Sequence, residues 1–179
     1  MPRLMLLGVG AAGSARFAPA GLLVEYGHTR VGIDGGAGSE PPENVDAWLV
    51  GDGEAHPDLC RVARETGMRE PALEPFRHGA LHIDPLPAGG GAYGYRIVAG
   101  HRSAAWAPAF GGFPEWAAKA DLVFAGPGTG VAATAAAARR LEVRRLVFVL
   151  LDERACAAMD AGEEPPFGEW GEEGGQYRI

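Results

Sequence analysis

Apolar residues in this chain come in short runs, and nearly every run is cut by glycine or proline. With 28 glycines and 14 prolines, no apolar stretch approaches the ~20 residues of a membrane helix. Such punctuation leaves little room for long amphipathic helices and favours strands separated by tight turns. At 47% hydrophobic and 22% charged residues the chain lies in the globular range, which excludes collagen, coiled coil and wholesale disorder. Its 179 residues suit one domain that buries roughly 70% of its unfolded surface and needs no disulfide or structural metal.

The runs predict strands over 3–8, 21–26, 29–34 and 47–50, with the second and third forming a hairpin across Gly27-His28. Residues 57–66 have helical spacing, with Leu59, Val62 and Ala63 on one face and Gly67 as the stop. A second hairpin is expected from 93–99 and 102–107 across Gly100-His101, then a short helix over 113–119 and a buried strand over 121–125. An alanine-rich helix over 131–141, a strand over 145–151 and a helix over 152–161 follow. The closing segment 162–179 reads as turn-rich and acidic. Hairpins open each half and strand–helix alternation follows, which predicts a duplicated α/β sandwich over 1–179, not a doubly wound sheet.

The net charge of −7 is concentrated at the end: from Asp152 onward eight acidic residues face two basic ones. The rest is nearly neutral, so the sequence shows no electrostatic footprint for nucleic acid or an anionic membrane. Cys60 and Cys156 stand apart with no paired spacing, which suits a reducing compartment. Residues 1–15 faintly imitate a signal peptide, but the glycines at 8, 10 and 13 fit a first strand and its turn better. The expected location is the cytoplasm.

Two glycine loops invite a phosphate-binding reading. Gly8-x-Gly10-x-x-Gly13, with Glu25 beyond, has the spacing of a dinucleotide fingerprint. That motif requires a helix at the loop, and Pro19 and Gly21 break any such helix. The segment 126–130 (Gly-Pro-Gly-Thr-Gly) precedes a helix but lacks the Lys-Ser/Thr pair of a phosphate loop. It is read as a tight turn, with an anion site as the alternative.

The order of landmarks resembles the metallo-β-lactamase fold superfamily. Residues 6–14 (Leu-Leu-Gly-Val-Gly-Ala-Ala-Gly-Ser), 22–27 and 31–38 (Val-Gly-Ile-Asp-Gly-Gly-Ala-Gly) are similar to its opening strands and Asp-Gly turn. Residues 47–50, 94–110, 120–124 and 143–148 are similar to the strand before its metal motif, the hairpin opening its second half and its later core strands. The resemblance implies a four-layer αββα sandwich of two mixed sheets. In active relatives it also implies two metal ions, usually zinc, whose bridging hydroxide attacks an ester, amide or phosphodiester.

The departures from that pattern decide the functional expectation. Where the family has His-x-His-x-Asp-His, this chain has Asp52, Glu54, His56 and Pro57. No histidine occurs in 84–91. The bridging aspartate position is Ala109, and the last histidine position is Leu150 or Leu151. The resemblance therefore implies a lost dinuclear centre. Asp52, Glu54 and His56 stand at i, i+2 and i+4 and admit two readings. One is a weak site for a single divalent ion, Mn²⁺ or Mg²⁺ more readily than Zn²⁺. The other is a solvated loop capping a helix at Pro57. His78 and His82, read as lying along one strand, are too far apart to share an ion. Ser14, Ser39 and Ser103 lack a base motif, and Cys60 and Cys156 fall on helices where packing is their usual role. Trp106, Phe110, Phe113 and Trp116 are expected as core or cleft wall.

The sequence thus predicts a metallo-β-lactamase-like protein acting as a non-catalytic binding or regulatory module for a small molecule or protein. Its cleft would be lined by Gly10, Asp34, Gly128 and Thr129. Two alternatives stand beside it: a hydrolase with a single altered metal site at Asp52, Glu54 and His56, and an anion- or nucleotide-binding α/β protein.

Overall fold

Alternation sets the first sheet. In β1 (Arg3–Gly8) Leu4 and Leu6 are fully buried while Arg3 is exposed, so every second side chain faces the interior. β2 (Gly21–Tyr26) and β3 (Thr29–Asp34) form the expected hairpin, with Tyr26 opposite Thr29 and Gly27 at φ +63°. β4 (Ala47–Leu49) runs parallel to β3. The computed structural model describes residues 1–51, 53 and 56–179.

The second sheet holds β5 (Phe76–His78), β6 (Leu81–Gly89), β7 (Ala92–Ala99), β8 (Arg102–Ala107), β9 (Leu122–Ala125), β10 (Leu146–Phe148) and β11 (Glu169–Trp170). With β12 (Gln176–Arg178) added to the first, the orders are β12-β1-β2-β3-β4 and β11-β10-β9-β8-β7-β6-β5. Both sheets mix parallel and antiparallel pairs. The main core joins Leu4, Leu6, Val24 and Ile33 of one sheet to Tyr95, Ile97, Trp106 and Phe124 of the other. A separate cluster, Trp48, Val50, Leu59, Val62 and Ala63, lies beneath α1 (His56–Thr66). α2 (Val131–Arg140) buries Thr134, Ala135 and Ala138, and α3 (Glu153–Asp160) buries Ala155. The Asp152 carboxylate caps α3 by accepting the Ala155 N–H at 2.9 Å. Among the described residues no helix is long and apolar enough to cross a membrane.

Three regions differ from the sequence reading. The helix expected over 113–119 is one 3₁₀ turn, Glu115–Ala117. The Arg96 guanidinium donates to the Trp116 carbonyl at 2.6 Å, and Lys119 adopts φ +59°, so side chain and backbone both end the helix. The single strand read through His78 and His82 is two, split by the turn at 79–80, and β6 runs on past Pro85 and Pro87. β5 pairs only as far as Ile83, so those prolines sit where the outer side of β6 is an open edge and a missing N–H costs little. His78 and His82 occupy neighbouring strands of that hairpin, opposite Leu81 and Arg77. The period of two turns them to opposite faces of the sheet. In the closing segment two short strands, β11 and β12, stand between the turns and extend one sheet each.

Candidate functional site at the strand ends

The glycine turn after β1 is a close approach of backbones. A Cβ on Gly10 would lie 2.6 Å from the Phe17 carbonyl oxygen, and Gly10 bridges both Pro19 and Leu151. No helix occurs between residues 11 and 20, so the dinucleotide reading has no helix terminus to rest on. This bridge brings the end of β1 beside the end of β10.

At the end of β3 the backbone turns through Asp34 at φ +54°, a conformation Asp tolerates better than most side chains. Its Oδ1 accepts the Gly51 N–H at 2.7 Å and its Oδ2 accepts the Trp106 indole N–H at 2.7 Å. Its main-chain carbonyl accepts the Trp48 indole N–H at 2.8 Å. The Tyr95 hydroxyl donates to the Val50 carbonyl at 2.8 Å, and the Tyr93 N–H donates to the Gly51 carbonyl at 2.9 Å. Burial, with the nearby Asp34 charge, raises the Tyr95 pKa and keeps the phenol protonated as a donor. A Cβ on Gly51 would stand 2.3 Å from the Tyr93 carbonyl oxygen, so only glycine fits there. Trp106 and Tyr95 belong to the second sheet, so these bonds tie the end of one sheet to the other.

Beyond Gly51 come the candidate metal ligands. Asp52 and Glu54 lie outside the described residues. His56 opens α1, and its Nε2 lies 2.9 Å from the Pro71 carbonyl oxygen. A carbonyl only accepts, so Nε2 donates there and the ring's lone pair falls to Nδ1.

The opposite wall is hydrocarbon. β8 leads into Pro108, Ala109 and Phe110, and Gly126 approaches so closely that a Cβ there would be 2.1 Å from the Pro108 carbonyl oxygen. Leu150, at φ +56°, presents its Cβ beside Gly126. Leu151 is fully buried and bonded on both sides, its N–H to the Val9 carbonyl and its carbonyl to the Ala11 N–H. The Phe110 ring crosses Gly128 and meets Phe113 edge-on at 5.7 Å.

Gly128 and Thr129 are exposed and line a small cavity of ≈ 170 Å³ with Asp152, Arg154 and Trp170. A larger cavity of ≈ 410 Å³ opens between residues 11–16 and α3, beside Leu151. Arg16 spans its rim to Asp160 at 2.8 Å. Asp34 ends β3 and Gly10 lies just beyond β1, and neither lines either of these cavities, so the expected lining of Gly10, Asp34, Gly128 and Thr129 is not gathered in one of them. Tyr95 was not singled out in the sequence, and Trp106 only as packing. The signal was available: alternation buries Tyr95 on β7, Trp106 lies in the fully buried run of β8, and a buried Tyr or Trp needs a partner for its polar atom.

The metal ions implied by the resemblance can be tested against these residues. The side chains of Ala109, Leu150 and Leu151 carry no donor atom. Among the described residues no group of three or more His, Cys, Asp or Glu is placed to hold a metal. The described residues do not fit a dinuclear centre, and no reaction step through one is derived.

No family model matches the chain, and no curated protein matches it in sequence. Solved structures do match in shape. A diphosphatase from the PhnP family aligns with TM-score 0.70 at 16% identity, covering 100% of this chain and 98% of its own. The metallo-β-lactamase fold protein YhfI from Bacillus subtilis aligns with TM-score 0.71 at 13% identity over 99% and 100% of the two chains. The short form of human tRNase Z gives TM-score 0.71 at 12% identity over 99% of both.

Proposed function

We propose that this chain, which has the metallo-β-lactamase fold, uses it as a non-catalytic binding module whose dinuclear metal centre has been lost. The carrying observation is the hydrocarbon wall: Ala109, Leu150 and Leu151 stand at the strand ends where the resemblance calls for ligands. A divalent metal needs oxygen, nitrogen or sulfur donors, and carbon side chains supply none. The polar wall supports the same reading, because the Asp34 carboxylate holds the Gly51 amide and the Trp106 indole.

What remains is a cleft with the family's position and different chemistry. The ≈ 410 Å³ cavity beside Leu151 is of the size that receives a small organic molecule. The proposal includes a cytoplasmic location, supported by the free thiols Cys60 and Cys156.

Elemental mass spectrometry on protein purified without chelator or affinity nickel tests the proposal. The expected result is a substoichiometric metal content, unchanged after incubation with Zn²⁺ or Mn²⁺. A stoichiometric ion abolished by Asp52→Ala would overturn it in favour of the single-metal hydrolase at Asp52, Glu54 and His56.

A further inference from the structure

The opposite end of the sandwich, where β1, β9 and β10 begin, carries an arrangement of arginines that the cleft does not use. Strand register places Arg178 opposite Arg3, Arg3 opposite Glu25, and Glu25 opposite Arg30. Directly paired residues share a sheet face, so the four form one row across β12, β1, β2 and β3, about 14 Å long at the usual strand spacing. Glu25 gives one oxygen to each neighbour: Oε2 lies 2.6 Å from Arg3 and Oε1 lies 3.0 Å from Arg30. Its side chain is 14% exposed, against 47% and 39% for the two arginines. One sunken carboxylate thus orients two exposed guanidiniums and neutralises only one. Arg178, without an ion pair among the described residues, adds another positive charge at the end of the row, where Met1, Arg3, Glu25, Gly27 and Arg178 line a shallow cavity of ≈ 270 Å³.

The second sheet repeats the device. The Asp121 Oδ1 accepts from Arg102 at 3.1 Å and from Arg144 at 3.0 Å, while its Oδ2 accepts the Ser103 N–H at 2.9 Å. Burial works against its ionised form, but the Ser103 amide and the two arginines outweigh it and hold the carboxyl below its ordinary range. Arg145 belongs to neither group: its guanidinium is paired with Glu169 at 2.6 Å and lies 4.9 Å from the Tyr177 ring.

We propose that this arginine row is a docking surface for an extended, carboxylate-rich segment of a partner protein. Arg3 spends Nε and Nη2 on Glu25, and Arg30 spends Nε there and Nη1 on Asn44, so the remaining N–H groups of both are fixed in place for oxyanions. The row is longer than one small anion can span. Two observations favour a peptide over a nucleic acid. The exposed large apolar residues, Met1, Leu73 and Tyr93, provide no aromatic platform on the row for stacking bases. The net charge of −7 repels a long polyanion, whereas a short acidic segment feels mainly the local field within about 10 Å.

Fluorescence anisotropy at low salt tests this with the whole protein and a labelled peptide of alternating Glu and Ser. The controls are a Lys/Ser peptide and an oligothymidylate of matched charge. Saturable binding of the acidic peptide alone is expected, weakening steeply with salt and by about tenfold in Arg178→Glu. Arg178 makes no side-chain bond among the described residues, so an unchanged melting temperature is expected to certify that variant's fold. Arg61→Glu, on the exposed face of α1, should bind like the parent. Absence of saturable binding, undiminished binding by Arg178→Glu, or tighter binding of the oligothymidylate would each overturn the assignment.

Discussion

The two groups of strand ends, taken as the walls of the proposed cleft, are built by opposite means. On the wall formed by β3 and β4, polar atoms are in use: one carboxylate, two indoles and a phenol hold the backbone at Asp34, Val50 and Gly51. On the wall formed by the ends of β8 and β10, Ala109, Phe110 and Leu150 present carbon, and close backbone approach at Gly126 sets the shape. The comparison teaches that the scaffold of such a cleft is separable from its chemistry. The polar group ties the two sheets together, so substitution there should cost most, whereas the apolar group is held by backbone approach and should tolerate more.

If that contrast is right, substitutions should rank by wall. Asp34→Ala strips the acceptors from the Gly51 amide and the Trp106 indole and should cost about 3 kcal/mol in urea unfolding. Asp34→Asn, which tolerates the same backbone angle and keeps one acceptor, should fall between it and the parent. Gly51→Ala forces a methyl against the Tyr93 carbonyl and should cost about 2 kcal/mol by overpacking; a neutral result would mean the loop there shifts freely. Tyr95→Phe should cost about 1 kcal/mol near neutral pH. Its sign reverses with alkali, because the Tyr95 pKa is raised in the folded state. The unfolded phenol ionises near pH ~10 while the folded one does not, so the parent loses stability above that pH and the Phe variant does not lose that share. The smallest effect belongs to the other wall. Ala109→Asp, at a half-exposed position, should change stability by less than about 1 kcal/mol and bring no Zn²⁺ uptake by elemental analysis. A stoichiometric gain of zinc would show that one missing carboxylate had kept the centre silent, and the contrast between walls would collapse.

Local pattern revealed the parts of the chain that local pattern controls. The hairpins at Gly27-His28 and Gly100-His101 were legible because a glycine turn between alternating strands leaves few other options. β5, β6 and the 3₁₀ turn were not, because each is decided by a distant partner: the reach of β5 for Pro85 and Pro87, the Arg96 side chain for Trp116. The same division runs through the site. Ala109, Leu150 and Leu151 could be named from sequence as side chains without donor atoms. The joint hold of Asp34 on Gly51 and Trp106 was not, since it spans 72 residues to the indole. Nor was the arginine row, because Arg3, Glu25, Arg30 and Arg178 are scattered along the chain and meet only through strand register.

The carboxylate of Asp34 has a consequence for motion. It grips an amide just beyond one sheet and an indole on the other, and the Tyr95 hydroxyl and Tyr93 amide cross the same gap within a few residues. The sheets cannot part at this end one bond at a time without leaving buried polar atoms unmatched, so the cleft opens as one cooperative unit or stays shut. In hydrogen exchange, the Gly51 and Tyr93 amides should therefore report a single shared opening, although they lie on different sheets.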